Sequence, residues 1–130
     1  MEQQAWAELI RRFERCEVTG ADWTHQAHLA AAAWYLTHFD PEDAGRRIRS
    51  GIRKLNESLG GQNTEDSGFH ETLTEFWMRE VEARLRRGER LEEILGLPSG
   101  YWREFYSVDL PKSREARREW MEPDLKPIAV

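Results

Sequence analysis

Asp40-Pro41 and Gly60-Gly61 bracket a stretch in which Ile48, Ile52, Leu55 and Leu59 recur at helical spacing. A capping carboxylate followed by proline suits a first helical turn: the missing N–H costs nothing there and φ is already set. Paired glycines suit a helix end, where a left-handed residue closes the last turn. The pattern predicts a helix from Pro41 to about Leu59, and similar punctuation recurs along the chain.

Upstream, Trp6, Leu9, Ile10 and Phe13 mark one face of a helix from Glu2 to Cys16. Val18 to Trp23 reads as a loop. Thr24 or Asp22 can cap a second helix running to Phe39, in which Ala30 to Ala33 allow a neighbour to approach closely. The polar stretch from Gln62 to Gly68 is a loop. A fourth helix is expected from near Phe69 to just before Gly88, burying Phe69, Leu73, Phe76, Trp77, Val81 and Leu85. Shorter helices follow from Leu91 to Leu95, behind Ser99, and from Arg114 to Met121 behind Ser113. Pro123 and Pro127 keep the tail extended. Nothing alternates as a strand would. The expectation is an all-α single domain over residues 1–130, a four-helix core with short C-terminal helices and an extended tail.

The net charge of -5 argues against a sequence-independent grip on nucleic acid. Cys16 is the only cysteine, so no internal disulfide is expected and a cytoplasmic setting is the default. The longest apolar run, Leu29 to Leu36, is too short for a membrane span. Oligomeric state is left open.

Of the 4 histidines, His25, His28 and His70 lie at predicted helix starts. His25 and His28 share a helical face. His70 faces inward with Leu73, Thr74 and Trp77. The expectation is that all three meet in a cavity between the second and fourth helices, with Glu71 at its edge. Two chemistries fit. In one, three neutral imidazoles hold a divalent transition metal with an open position for water or substrate, and Glu71 moves the proton. In the other, no metal is present, His70 with Glu71 supplies acid–base catalysis, and Arg49 or Arg53 holds a small anionic molecule. Asn56, Tyr35 and Trp77 are expected wall residues. A third reading is a non-catalytic interaction protein with structural histidines, in which Tyr101, Trp102 or Trp120 docks a partner. Whether the chain is an enzyme is left open. His38 is read as a capping or surface residue. Gly51, inside the third helix, costs about 1 kcal/mol against alanine, so close packing or a ligand is expected there.

Several segments together carry a resemblance. They are His25-Gln26-Ala27-His28-Leu29, Arg49-Ser50-Gly51-Ile52-Arg53 with Asn56, Phe69-His70-Glu71-Thr72-Leu73-Thr74, Ser113 to Arg117, and Pro123-Asp124-Leu125. The chain resembles a family of small bacterial helical proteins with a His-x-x-His-Leu motif and a Tyr/Phe-His-Glu-Thr-Ile/Leu-Thr motif. The resemblance implies one fold unit and brings no activity with it. No His-Glu-x-x-His, Gly-x-Ser-x-Gly, phosphate loop or dinucleotide fingerprint is present.

Overall fold

The computed structural model describes the backbone of residues 3–129, with side chains from Ala5 onward. The fold is all-α. Helices α1 (Gln3–Glu14), α2 (His25–His38), α3 (Pro41–Ser58) and α4 (Glu71–Arg86) form the core. Short helices α5 (Leu91–Leu95) and α6 (Arg114–Arg118) and two 3-10 turns, Tyr101–Glu104 and Leu110–Lys112, follow. No strand occurs among the described residues.

Local chemistry sets the starts. Thr24 accepts a hydrogen bond from the Ala27 N–H at 3.1 Å, Asp40 from Asp43 at 2.9 Å, and Ser113 from Ala116 at 3.1 Å. Each satisfies an N–H that the first turn leaves without a partner. α1 ends where Cys16 takes a left-handed φ of 57° and the Glu17 N–H reaches back to the Arg12 carbonyl at 2.7 Å. That is the closure glycine usually supplies.

α2 is the central element and packs against α1, α3, α4 and α5. Its alanines from Ala30 to Ala33 are all buried, as are Leu29 and Tyr35. Small side chains let neighbours close in from several directions. Ile10, Phe13, Ile48, Leu55 and Val81 complete the main core. Gly51 lies against the Phe13 ring, which accounts for a glycine inside α3. Leu59, expected in the core stripe, is 48% exposed because α3 stops at Ser58 and Leu59 is its C-cap.

A second apolar cluster forms where the C-terminal segment folds over α4. Phe76, Trp102, Phe105, Tyr106, Leu110 and Ala116 are buried there, and half-buried Trp77 packs against both clusters. The aromatics expected to dock a partner, Tyr101, Trp102 and Trp120, belong to this cluster. Trp102 is buried, Tyr101 packs against the cluster, and Trp120 lies beneath the Arg79 guanidinium at 4.1 Å. The tail is extended and tied back: the Leu125 N–H donates to the Phe105 carbonyl at 2.9 Å.

Candidate functional site

A cavity of about 440 Å³ opens between α2, α3 and α4. The start of α2 contributes His25, His28 and Ala32, with Trp23 just before it. Ile48, Ile52 and Asn56 come from α3. Phe69, His70, Leu73, Thr74, Trp77 and Met78 close the far side. The three histidines therefore share one cavity, bounded by α3 as well as by α2 and α4. Asn56 and Trp77 are wall residues as expected. No Asp, Glu, Lys or Arg is among the lining residues.

The histidines differ in what their ring nitrogens do. A backbone carbonyl only accepts, so the nitrogen facing it carries the proton. His28 donates from Nδ1 to the Thr24 carbonyl at 2.7 Å, and its Nε2 has no protein partner. His25 donates from Nε2 to the Leu97 carbonyl at 2.9 Å, and its Nδ1 has none. Neither unpaired nitrogen is among the buried polar atoms sealed off without a partner. Trp23 lies over His28 with ring centroids 4.1 Å apart, and Trp77 meets His25 edge-on at 4.9 Å. Burial holds the His28 pKa below the usual 6.5; the Thr24 carbonyl opposes the shift and the charge of His25 adds to it. Neutral His28 thus presents a bare Nε2 able to accept a hydrogen bond or a proton.

His70 has no nitrogen to spare. Its Nε2 donates to the Leu110 carbonyl at 2.7 Å, and its Nδ1 caps α4 by accepting the Leu73 N–H at 3.1 Å. Burial lowers its pKa, with the Leu110 carbonyl opposing. Both ring nitrogens are thus engaged, whereas the expected roles as metal ligand and catalytic acid–base each need a free lone pair or a mobile proton. Among the described residues, no group of three or more His, Cys, Asp or Glu is placed to hold a metal ion. The expected His25, His28 and His70 metal set is not formed.

Glu71 and Arg49 hold each other. The guanidinium meets both carboxylate oxygens, with Nε–Oε1 and Nη2–Oε2 each at 2.9 Å, and it also reaches Glu75. Glu71 is therefore engaged as an ion-pair partner, and the Arg49 fork is occupied by Glu71 and Glu75. Arg53 lies over the Phe69 ring at 4.2 Å. Neither arginine lines the cavity. Tyr35 is also misplaced by the sequence reading. Its hydroxyl donates to Glu14 at 2.7 Å on another side of α2, and burial with Glu14 pushes its pKa up. His38 is exposed at the end of α2 and stacks on Trp34 at 4.0 Å, as a surface residue can.

The Phe-His-Glu-Thr block is a tether. Phe69 is buried under Arg53, His70 holds Leu110, and Glu71 holds Arg49. The buried Thr72 hydroxyl donates to the Glu119 carbonyl at 2.8 Å and accepts the Met121 N–H at 3.0 Å. Thr74 of this block also lines the cavity, and the sequence pattern does not single it out as a site residue. Its signal was modest: a hydroxyl on the same face as His70 and Trp77. The Leu97 carbonyl that orients His25 had no signal, because a backbone group is not visible in a side-chain pattern.

A larger surface groove of about 590 Å³ lies between α4 and the tail. Its charges are largely paired, Arg86 with Glu82 at 2.7 Å and Lys126 with Glu104 at 3.1 Å. No helix of the described residues is long and apolar enough to cross a membrane. No known family, curated protein or solved structure matches the chain.

Proposed function

We propose that this protein binds a small organic molecule in the cavity between α2, α3 and α4, with His28 as the principal polar contact and without a metal. The observation that carries the reading is the pair of imidazoles fixed by backbone carbonyls, each with its second nitrogen unpaired, in a mainly apolar cavity. An apolar pocket of this size with a few oriented polar groups is the usual form of a small-molecule site. Fixed imidazoles also lose little freedom when a ligand arrives.

Protein-observed NMR with a set of small aromatic and aliphatic fragments tests this. Bound fragments should compete with one another and shift the indole signals of Trp23 and Trp77. Thr74→Phe, which fills the cavity from α4, should abolish the binding while retaining helical content. Fragments that bind without moving either indole, or the absence of any binder, would count against the reading.

A further inference from the structure

We propose that the cavity takes a neutral, ring-sized molecule bearing a hydroxyl group that donates a hydrogen bond to His28 Nε2. This rests on the reading of the cavity as a small-molecule site and names the ligand class.

Charge is the first argument. No ionised acid, lysine or arginine lines the cavity. The adjacent arginines are committed elsewhere, Arg49 to Glu71 and Glu75, and Arg53 to the face of Phe69. A carboxylate or ammonium entering here would shed water and meet no counter-charge. Size and surface come next. A dry cavity of roughly 150 Å³ already admits a benzene ring, so the 440 Å³ here has room for a substituted one. Trp23 and Trp77 give it flat apolar walls.

The polar atoms choose the functional group. The protein uses one ring N–H of each of His25 and His28 on a backbone carbonyl, leaving the second nitrogen of each ring without a protein partner. Asn56 spends an amide N–H on Asn63 Oδ1 at 3.1 Å, leaving its own carbonyl oxygen without a protein donor. The cavity therefore holds more acceptors than the protein satisfies. An ether or hydrocarbon would bury them unpaired, whereas a hydroxyl donates to one and can still accept from the Thr74 hydroxyl. Burial, which keeps His28 neutral, preserves the acceptor near pH 7.

The test uses p-cresol, 4-methylanisole and 4-methylbenzoate at pH 7.5, titrated into the wild-type protein and followed by the indole signals of Trp23 and Trp77. The methyl ether keeps the ring and removes the donor; the carboxylate adds charge. p-Cresol should bind about tenfold tighter than 4-methylanisole, and 4-methylbenzoate should bind weakest. In His28→Phe, which retains a ring against Trp23, the two neutral ligands should come within about twofold of each other. Equal binding of the two in the wild type, or tightest binding by the carboxylate, overturns the hydroxyl assignment and leaves the cavity reading standing. If none of the three moves the indoles, both fall. The wild-type ranking decides the matter even where the variant does not fold.

Discussion

The Phe13 ring of α1 occupies the space that a side chain on Gly51 of α3 would need. Phe13 is 1% exposed and is stacked on Trp23 at 4.9 Å, so it has little room to withdraw. Alanine in place of Gly51 gains about 1 kcal/mol of helix propensity, but forcing the ring aside costs about 1–3 kcal/mol. Gly51→Ala should therefore be no more stable than wild type and up to about 2 kcal/mol less so in chemical denaturation. Phe13→Leu should cost less in that background than alone. A clear gain in stability from Gly51→Ala would show that the ring yields freely.

His70 is expected to matter for stability rather than chemistry. His70→Ala leaves the Leu110 carbonyl and the Leu73 N–H without their partners and should cost about 2–4 kcal/mol. His70→Asn, which can still cap α4, should recover part of that. Hydrogen exchange should show the loss concentrated in the segment after Leu110. A fully stable His70→Ala protein would contradict this account.

The same burial sets a pH dependence. The pKa values of His28 and His70 are both lowered from 6.5 in the folded protein. The unfolded chain then binds more protons than the native one in the window below 6.5, so stability rises with pH there. Their contribution is complete above about pH 6.5 and is lost as pH falls through the depressed folded values. Denaturation midpoints measured between pH 5 and pH 8 should fall on the acid side, and His70→Asn should flatten the fall.

Arg49 and Glu71 are 24% and 21% exposed at the side chain, between the surface and deeply buried cases. Removing the guanidinium leaves Glu71 and Glu75 facing each other without their shared cation. Arg49→Met should cost roughly 1–3 kcal/mol. Arg49→Met/Glu71→Met should cost less than the sum of the single changes. Binding of neutral fragments in the cavity should stay intact, whereas its loss would place Arg49 in the site.

Metal should be dispensable. Two imidazoles with no third ligand beside them make a poor site for zinc or iron. Chelator treatment should leave the melting temperature unchanged, and elemental analysis of untagged protein should show far less than one transition metal per chain. A chelator-sensitive melting temperature would require a ligand set other than His25, His28 and His70.

The helical framework was legible because its signals are local. Thr24, Asp40-Pro41 and Ser113 cap helices through their own side chains, and apolar spacing finds α1, α3 and α4. The site was legible only as a place. His25, His28, His70, Asn56 and Trp77 do line one cavity, but their roles turn on partners distant in sequence. The Leu110 carbonyl engages His70, and the Leu97 carbonyl orients His25. Glu71 claims the arginine fork that sequence alone offers to a substrate. Tyr35 was misplaced for a different reason: α2 is buried on several sides, so periodicity cannot say which cavity an apolar residue on it faces.

The tether formed by His70 and Thr72 has a consequence for a chain under synthesis. Their partners at Leu110, Glu119 and Met121 leave the ribosome well after α4 has emerged. Until then the first turn of α4 lacks its long-range anchors, and a nascent chain shows the Phe76 face to solvent or to a chaperone. A purified chain cut before Leu110 should therefore be protease-sensitive around α4, whereas one that extends through Met121 should be resistant.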